Sequence, residues 1–226
     1  MFGNFFKLST IKVFQSKTRI RKMEEEKSLA KENLILQAAR KRFAYYGFSK
    51  ATMDEIARDV GMGKASLYYY FPTKESLFKA VISNEQDEFL EQAQKFLTTD
   101  ISAAEKLHQY VLRRLEYFHE LVNLSKLSFH SMFEMRPLFG DLFEGFASRE
   151  LEIITQLLQE GNEKSELQVE NPQQIAKLLL HILQGLRLRI LPKFQDTFIN
   201  EEYYEQLREE MLLFVNTFLH GIEKKN

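Results

Sequence analysis

Cysteine is absent from this chain of 226 residues, and proline and glycine are scarce, at 4 and 9 residues. The absence of cysteine excludes disulfide scaffolds, thiolate metal sites and cysteine nucleophiles. Hydrophobic residues make up 44% of the chain and charged residues 28%, and there is no long low-complexity tract. This composition is typical of a globular protein that is mostly helical.

Long apolar runs and strand-like patterns are also absent. No stretch approaches the roughly 18 apolar residues that a membrane-spanning helix requires. No stretch alternates between apolar and polar residues, with β-branched side chains, over the length of a strand. We therefore expect a soluble, cytoplasmic protein of the all-α class, without a sheet.

Positive charge is concentrated in the N-terminal third of the chain. Lys and Arg outnumber Asp and Glu by 16 to 8 in residues 1–80, whereas they are outnumbered by 24 to 15 in residues 81–226. Such asymmetry indicates an N-terminal part that faces a polyanion. Six of the basic residues lie within the first 23 positions, however, so net charge alone is weak evidence for DNA binding.

Residues 1–23 form a basic leader that has three open interpretations. Lysines interrupt its apolar residues, so it lacks the continuous apolar core of a signal peptide. It is a miscalled start upstream of Met23, a disordered basic arm that reaches DNA, or a targeting segment. The remaining chain divides near residue 80, into 24–80 and 81–226, where the composition changes inside one long helix.

Helix start and stop signals recur along the chain. Thr52 and Ser102 each precede a glutamate by three residues, which is the capping-box pattern. Thr73 can cap a long helix, and Asn171 before Pro172 is a good N-terminal pair. The predicted helices run over about 27–46, 53–60, 64–71, 74–97, 103–123, 126–136, 141–160, 172–191 and 201–224.

The stretch GMGKASLYYYF, residues 61–71, invites comparison with a phosphate-binding loop. A P-loop requires a glycine where this chain has Arg58 and a hydroxyl residue where it has Ala65. A dinucleotide-binding fingerprint requires a third glycine in place of Ser66 and a strand before it. Neither nucleotide-binding motif fits this sequence.

Residues 53–72 fit two helices joined by a tight turn. Ala57 supplies the small residue where the helices cross, and Gly61 supplies a residue that can adopt positive φ. Apolar residues that can lock the two helices together recur at helical spacing: Ile56, Val60, Leu67 and Phe71. The pattern predicts a helix-turn-helix.

The second helix of this pair presents a face of small and hydroxyl-bearing residues. At about 100° per residue, Leu67 and Phe71 point inward, whereas the outward or flanking positions are Ala65, Ser66, Tyr68, Tyr69 and Tyr70. Hydroxyl groups can bind phosphates or base edges, and Lys64 and Lys74 can neutralise phosphates. The alternatives to DNA contact are that the tyrosines are half-buried packing residues and that Lys74 is exposed to solvent.

These residues closely resemble the DNA-binding domain of TetR-family (tetracycline-repressor-like) transcriptional regulators. The resemblance covers about residues 33–79 and rests on Thr52, Ile56, Ala57, Gly61, Leu67, Tyr68, Phe71, Lys74 and Leu77. It implies an all-helical homodimer with a DNA-binding head of three N-terminal helices. Carried over by position, the residues that touch DNA are Thr52, Lys64, Ala65, Ser66, Tyr68, Tyr69, Tyr70 and Lys74.

The resemblance also implies that residues beyond the head form a ligand pocket and that the last two helices form the dimer interface. Each of these helices has an apolar stripe wide enough for a core and a partner. The stripes consist of Ile175, Leu178, Leu179, Ile182, Leu183, Leu186 and Ile190, and of Leu207, Met211, Phe214, Val215, Phe218 and Ile222. The alternative is that both stripes pack only within the core of a single chain.

Aromatic and methionine side chains are dense in residues 129–146, as in the wall of an apolar ligand site. The candidate ligand-binding residues are Arg114, Phe118, His119, Phe129, His130, Phe133 and Phe143. Ordinary core packing is the alternative for each of them. His108, His119 and His130 are spaced too far apart to share a metal ion, so we expect no metal site and no cofactor.

We therefore expect a ligand-responsive dimeric regulator, most readily a repressor. It binds a palindromic operator in double-stranded DNA and is released by a small apolar or amphipathic molecule. One alternative is a helical small-molecule-binding protein whose head does not bind DNA. A helical enzyme is less favoured because no catalytic constellation has convincing spacing.

Overall fold

The computed structural model describes the backbone of residues 3–125, 129–190 and 201–224, and the side chains of residues 19, 21–121, 140–187 and 202–224. The described residues form eight helices: α1 (Gly3–Lys50), α2 (Met53–Asp59), α3 (Lys64–Tyr70), α4 (Lys74–Leu97), α5 (Ala103–Ser125), α6 (Phe129–Glu163), α7 (Pro172–Ile190) and α8 (Glu201–Ile222). Within these ranges the extended structure is limited to an isolated antiparallel bridge between Leu167 and Glu223. The all-α prediction is confirmed.

Helix α1 differs from its predicted range at both ends. It begins at Gly3, so the leader is helical here, which differs from the disordered arm that was one of its three interpretations. Residues 4–46 contain neither glycine nor proline, and such a sequence can continue a helix without a break. At the other end, Gly47 has φ 79° and ψ 161°, so the helix kinks at the residue that was predicted to end it.

Helix α6 joins two helices that were predicted separately. Its backbone continues through Pro137 and Gly140, and it ends at Glu163 rather than at Gly161. Proline removes one backbone hydrogen bond and disfavours helical geometry in the residue before it. These local penalties nevertheless do not end α6, whose backbone stays helical on both sides of Pro137.

The predicted N-terminal caps are confirmed. The hydroxyl of Thr52 accepts from the backbone N–H of Glu55, whose carboxylate accepts from the backbone of Thr52. Thr73 and Ser76 make the same reciprocal pair at the start of α4, at 3.0 and 3.1 Å. Asn171 accepts from the N–H of Gln174 at 3.1 Å. These local contacts satisfy backbone donors that a helix end leaves unpaired.

The N-terminal helices α1 to α4 pack around a small aromatic core. Phe43 of α1 lies with its ring centroid 5.0 Å from that of Phe78 on α4, and Phe48 lies 4.9 Å from the same ring. Ile56 of α2 and Leu67 of α3 are fully buried against them. The result is a compact head in which α3 is held by its neighbours.

The C-terminal half of α4 and the helices α5 to α8 form the body. Fully or almost fully buried residues on all of them share one core: Leu90, Leu107, Ile154, Leu157, Leu179, Leu183 and Val215. Lys106 is also buried, and its ammonium lies 2.8 Å from the carboxylate of Glu160 on α6. Helix α4 therefore packs in the head at one end and in the body at the other.

The end of α6 requires glycine because another segment approaches it closely. A Cβ added to Gly161 would lie 2.5 Å from Cδ1 of Leu167 and 2.9 Å from Cβ of Ala103. The segment after α6 turns back here, and the N–H of Leu167 donates to the carbonyl of Gly161 at 3.1 Å. Gly161 thus permits the close contact of α5, α6 and the following loop.

Gly161→Ala is expected to lower the free energy of unfolding by about 1–3 kcal/mol, because the added methyl group overpacks this contact. Urea denaturation followed by circular dichroism measures the change. Gly145→Ala is the matched control on the same helix, since a Cβ there meets nothing within 4 Å. It is expected to leave stability unchanged or raise it by up to about 1 kcal/mol. Equal effects of the two substitutions would contradict the close-approach explanation.

Candidate functional site

The turn between α2 and α3 has the geometry that a helix-turn-helix requires. Gly61 has φ 65°, a conformation that side chains other than glycine seldom adopt. The N–H of Met62 donates to the carbonyl of Ala57 at 2.8 Å, which closes the end of α2. Ala57 is 2% exposed, and its small side chain lets the helices approach. The predicted roles of Ala57 and Gly61 agree with this geometry.

Helix α3 is anchored on one side and open on the other. Leu67 is fully buried and Phe71 is 6% exposed, whereas Tyr68 is 38% and Tyr69 84% exposed. Ala65 and Ser66 are exposed as well, and Tyr70 is half-buried with its ring edge against Tyr69 at 5.6 Å. We call the set Ala65, Ser66, Tyr68, Tyr69 and Tyr70 the α3 outer face.

Lys64 stands at the start of α3, beside the α3 outer face. Its ammonium lies 2.9 Å from the carboxylate of Asp54 and 5.9 Å from the ring centroid of Tyr68. The hydrogen bond and the charge of Asp54 raise the pKa of Lys64, so the side chain stays protonated. Both partners are exposed, and such a pair contributes only about 0–1 kcal/mol. A phosphate can therefore replace Asp54 at little expense in stability.

Lys74 has a different environment from the one expected for a phosphate contact. Its ammonium donates to the carbonyl oxygens of Phe48, Ser49 and Ala51 at 2.9, 3.3 and 3.3 Å. It also lies 4.5 Å from the ring centroid of Phe48. An ammonium has three protons, and three carbonyls receive them here. Lys74 thus ties the start of α4 to the end of α1 and the segment after it.

Arg42 holds α1 against α2 and was not singled out from the sequence. Its guanidinium donates two hydrogen bonds to the carboxylate of Asp59, at 2.5 and 2.8 Å, and lies 3.5 Å from Glu55. The bond to Asp59 lowers the pKa of that carboxyl group. The two residues are 17 positions apart, so no local spacing in the sequence could have indicated the pair.

The body contains a buried polar cluster between α5 and α6. Arg114 donates to both oxygens of the Glu150 carboxylate, at 2.5 and 3.1 Å, and the hydroxyl of Tyr110 donates to Glu150 at 2.7 Å. Burial opposes the charge on Arg114, but the carboxylate more than offsets it, so the pKa of Arg114 is raised. Glu150 is 2% exposed, and the cluster is closed on itself.

An aromatic wall lies beside this cluster. The ring of Phe89 on α4 stacks on Tyr117 of α5 at 5.0 Å, and Phe146 of α6 lies 5.6 Å from Tyr117. Phe118, next to Tyr117, is 7% exposed. We call Phe89, Tyr117, Phe118 and Phe146 the aromatic wall. It is formed by three different helices, including the one that reaches the head.

Arg187 of α7 lies against the aromatic wall and was also missed from the sequence. Its guanidinium carbon is 3.8 Å from the ring centroid of Phe118, while that of Arg114 is 4.6 Å from the same ring. Burial, and then the positive charge of Arg114, lower the pKa of Arg187 to about 10. The available signal was a charged residue within the apolar stripe of α7.

Comparison with known proteins identifies this arrangement. Residues 35–81 match the family model described as bacterial regulatory proteins, tetR family. The crystal structure of a transcriptional regulator from Cytophaga hutchinsonii is 42% identical and superposes with a TM-score of 0.78. That match covers 85% of this chain and 98% of the other. The chain belongs to the TetR family.

Two curated TetR-type regulators extend the comparison. RutR of Escherichia coli K12 is 32% identical over 116 residues, which are 51% of this chain and 54% of RutR. The matched part of the chain therefore spans about half the length of RutR. QacR of Staphylococcus aureus Mu50 is 24% identical over 192 residues, or 84% of this chain and 97% of QacR. These relatives are named as transcriptional regulators, which supports a TetR-family regulator and not an enzyme.

The residues that the TetR resemblance assigns to DNA lie together on the head, but not all of them are available. The α3 outer face is open. The hydroxyl of Thr52 is exposed, although it donates to the carboxylate of Glu55 at 2.8 Å as part of the capping box. Lys64 is exposed and paired with Asp54. Lys74 is the residue that is not available, because its ammonium donates to three backbone carbonyls.

The predicted ligand-binding residues are more scattered. Phe118 belongs to the aromatic wall, and Arg114 contacts its ring but is neutralised by Glu150. His119 faces α8, where its ring stacks on Tyr204 at 4.2 Å, and Phe143 is 38% exposed. The side chains of Phe129, His130 and Phe133 lie outside the described residues. No helix among those described is both long and apolar enough to cross a membrane.

Lys74→Met is expected to lower the free energy of unfolding by about 1–3 kcal/mol, because it leaves three carbonyls without their charged donor. Urea denaturation measures the effect. Lys95→Met, at the exposed end of the same helix, is the matched control and should change stability by less than about 0.5 kcal/mol. If Lys74→Met were equally neutral, the carbonyl contacts would have no structural importance.

Proposed function

We propose that this TetR-family protein is a homodimeric repressor that binds a palindromic operator through α3 and is released by a small molecule bound in the body. The observation that carries the proposal is the α3 outer face. Tyr68 and Tyr69 are exposed on a helix whose opposite side is locked into the head. Exposed aromatic side chains in such a position have no packing role to explain them.

The chemistry of the α3 outer face suits the major groove. An α-helix fits that groove, and hydroxyl groups can bind phosphate oxygens or the donors and acceptors of base edges. Ala65 leaves room for a thymine methyl group, and Ser66 and the tyrosines supply the hydroxyls. Two such helices in a dimer would enter successive major grooves about 34–36 Å apart. The twofold symmetry of such a dimer calls for a palindromic site, and the spacing sets the separation of its half-sites.

The two lysines take different roles in this proposal. Lys64 exchanges Asp54 for a phosphate, since both groups are exposed and the exchange retains a charged partner. Lys74 supports the head by holding the segment before α2, so its contribution to DNA binding is positional. Thr52 lies at the start of α2, where its exposed hydroxyl and the backbone N–H groups of the first turn can face a phosphate.

The dimer interface is assigned to α7 and α8. Leu179 and Leu183 are buried in the body, whereas Leu178 on the same helix is 50% exposed. Ile182 and Leu186 are half-buried, and so are Phe214 and Phe218 on α8. These helices thus present apolar side chains on a second side, beyond the one that the body covers. A second copy of the chain would bury this surface.

Release of DNA is assigned to α4. The aromatic wall includes Phe89 of α4, and the same helix carries Lys74 and Phe78 in the head. A ligand that inserts against the wall displaces α4 and changes the position of α3 relative to the second copy. By linkage, such a ligand must bind the DNA-free form more tightly than the operator-bound form.

Tyr69→Ala is expected to weaken operator binding by about 1–3 kcal/mol, because it removes one well-placed contact from the α3 outer face. The operator is obtained by in vitro selection with the purified protein, and fluorescence anisotropy measures affinity. The free energy of unfolding should be unchanged, since the side chain is 84% exposed. Tyr69→Phe separates the role of the hydroxyl group from that of the ring.

Lys95→Ala is the matched control for this DNA-binding measurement. It removes a cation at the far end of α4, about 30 Å from Lys74 along the helix, and should leave affinity unaltered. Failure to select any specific DNA sequence would favour the alternative, a ligand-binding protein whose head does not bind DNA. Normal affinity in Tyr69→Ala would show that α3 is not the recognition helix.

Leu178→Asp is expected to convert the dimer to a monomer, because a carboxylate cannot be buried in an apolar interface without a partner. Sedimentation velocity measures the mass in solution. Leu29→Asp, at an apolar residue of α1 that is 59% exposed, is the matched control and should remain dimeric. A dimer that tolerates Leu178→Asp would place the interface elsewhere.

A further inference from the structure

Arg187 differs from the buried charged groups of the body, because its side chain is half-buried while its Nε is sealed from solvent. Lys106 lies 2.8 Å from Glu160, and Arg114 lies 2.5 Å from Glu150. Among the described side chains, no carboxylate forms an ion pair with Arg187. A charge that is partly withdrawn from water without a counter-charge is unfavourable, so the position of Arg187 beside an apolar stripe calls for an explanation.

The carboxylates whose charges act on Arg187 or on Tyr117 each have another arginine as ion-pair partner. Glu150 receives two hydrogen bonds from Arg114 and one from Tyr110. Glu85, whose charge acts on Tyr117, pairs with Arg40 at 2.6 Å. The pKa of Arg187, lowered to about 10 by burial and by Arg114, still lies well above neutral pH. Arg187 is therefore a protonated cation whose charge the described part of the body does not balance.

Two other buried donors near the aromatic wall share this lack of an acceptor. The Nε of Arg187, the hydroxyl of Tyr117 and the side-chain nitrogen of Gln86 are all sealed from solvent, and none has a hydrogen-bond partner among the described residues. Gln86 precedes Phe89 by three residues on α4 and so lies on the same side of that helix. Buried polar groups are almost always satisfied, so three unsatisfied donors on α7, α5 and α4 indicate an absent acceptor.

We propose that the effector is an organic acid, and that Arg187, assisted by Tyr117 and Gln86, binds its anionic head group while its apolar part lies against the aromatic wall. This inference rests on the proposed ligand-responsive function and specifies its ligand class. A guanidinium binds a carboxylate through two parallel, charge-assisted hydrogen bonds. Such a ligand supplies the missing charge and the missing acceptors together. A cationic ligand would instead meet two guanidinium groups.

The inference is tested with probes that share an alkyl chain and differ in charge. The wild-type protein is titrated calorimetrically with decanoate, decanol and decyltrimethylammonium, and with carboxylates from hexanoate to hexadecanoate. The carboxylate that binds best is expected to bind at least about tenfold more tightly than the alcohol of equal length. The quaternary ammonium compound is expected not to bind.

Arg187→Gln identifies the residue responsible. It should weaken binding of the best carboxylate by about tenfold or more and leave binding of the alcohol unchanged, whereas Arg187→Lys should retain part of the preference. A role in packing alone would lower both affinities equally. Arg113→Gln, an exposed arginine of α5 that stacks on Phe96 at 5.2 Å, is the matched control.

The outcomes separate this inference from the proposed function. Equal or tighter binding of the alcohol or the cation, no binding of any carboxylate, or an unaltered preference in Arg187→Gln would each overturn the acid-binding role. The regulator proposal is tested independently, by operator binding of the wild-type protein without probes. Operator binding by unliganded Arg187→Gln confirms that the substituted protein is folded and that its altered ligand preference is specific.

Discussion

Helix α4 is the constraint on which the two halves of the molecule depend. Near its start, Lys74 binds carbonyls at the end of α1 and just after it, and Phe78 packs in the aromatic core of the head. Farther along, Phe89 forms part of the aromatic wall in the body. A helix of 24 residues is about 36 Å long and has no soft joint unless its hydrogen bonds break. A displacement at the body end is therefore carried to the head.

The charged groups of head and body differ in how readily they can change partners. Lys64 and Asp54 are exposed, so their pairing is weak and a phosphate can compete for it. Arg114 and Glu150 are buried, and separating such a pair costs about 3–5 kcal/mol. Arg114 is therefore fixed in the body, despite its position beside the aromatic wall. Of the two described arginines that contact Phe118, Arg187 is the one with capacity left for a ligand.

Features that depend on near neighbours in the sequence were predictable. The caps at Thr52, Thr73 and Asn171 involve residues three positions apart, and Gly61 is set by the turn that it must make. The anchored and open sides of α3 follow from helical spacing alone. Features that depend on distant neighbours were not predictable. Helix α6 continues through Pro137, against the local preference of proline. The partners of Lys74 come from a segment 23–26 residues away.

The sequence by itself determined the family, the all-α class and the residues of the α3 outer face, because periodicity and capping are local properties that survive without knowledge of the fold. The tertiary structure alone decided which charges are available to a ligand or to DNA. The residue types of Arg114 and Lys74 made them candidates for ligand binding and DNA binding. In the structure, distant partners already receive their hydrogen bonds: Glu150 for Arg114 and three carbonyls for Lys74. Arg187 became a candidate because its guanidinium lies against Phe118 of the aromatic wall without a counter-charge among its described neighbours.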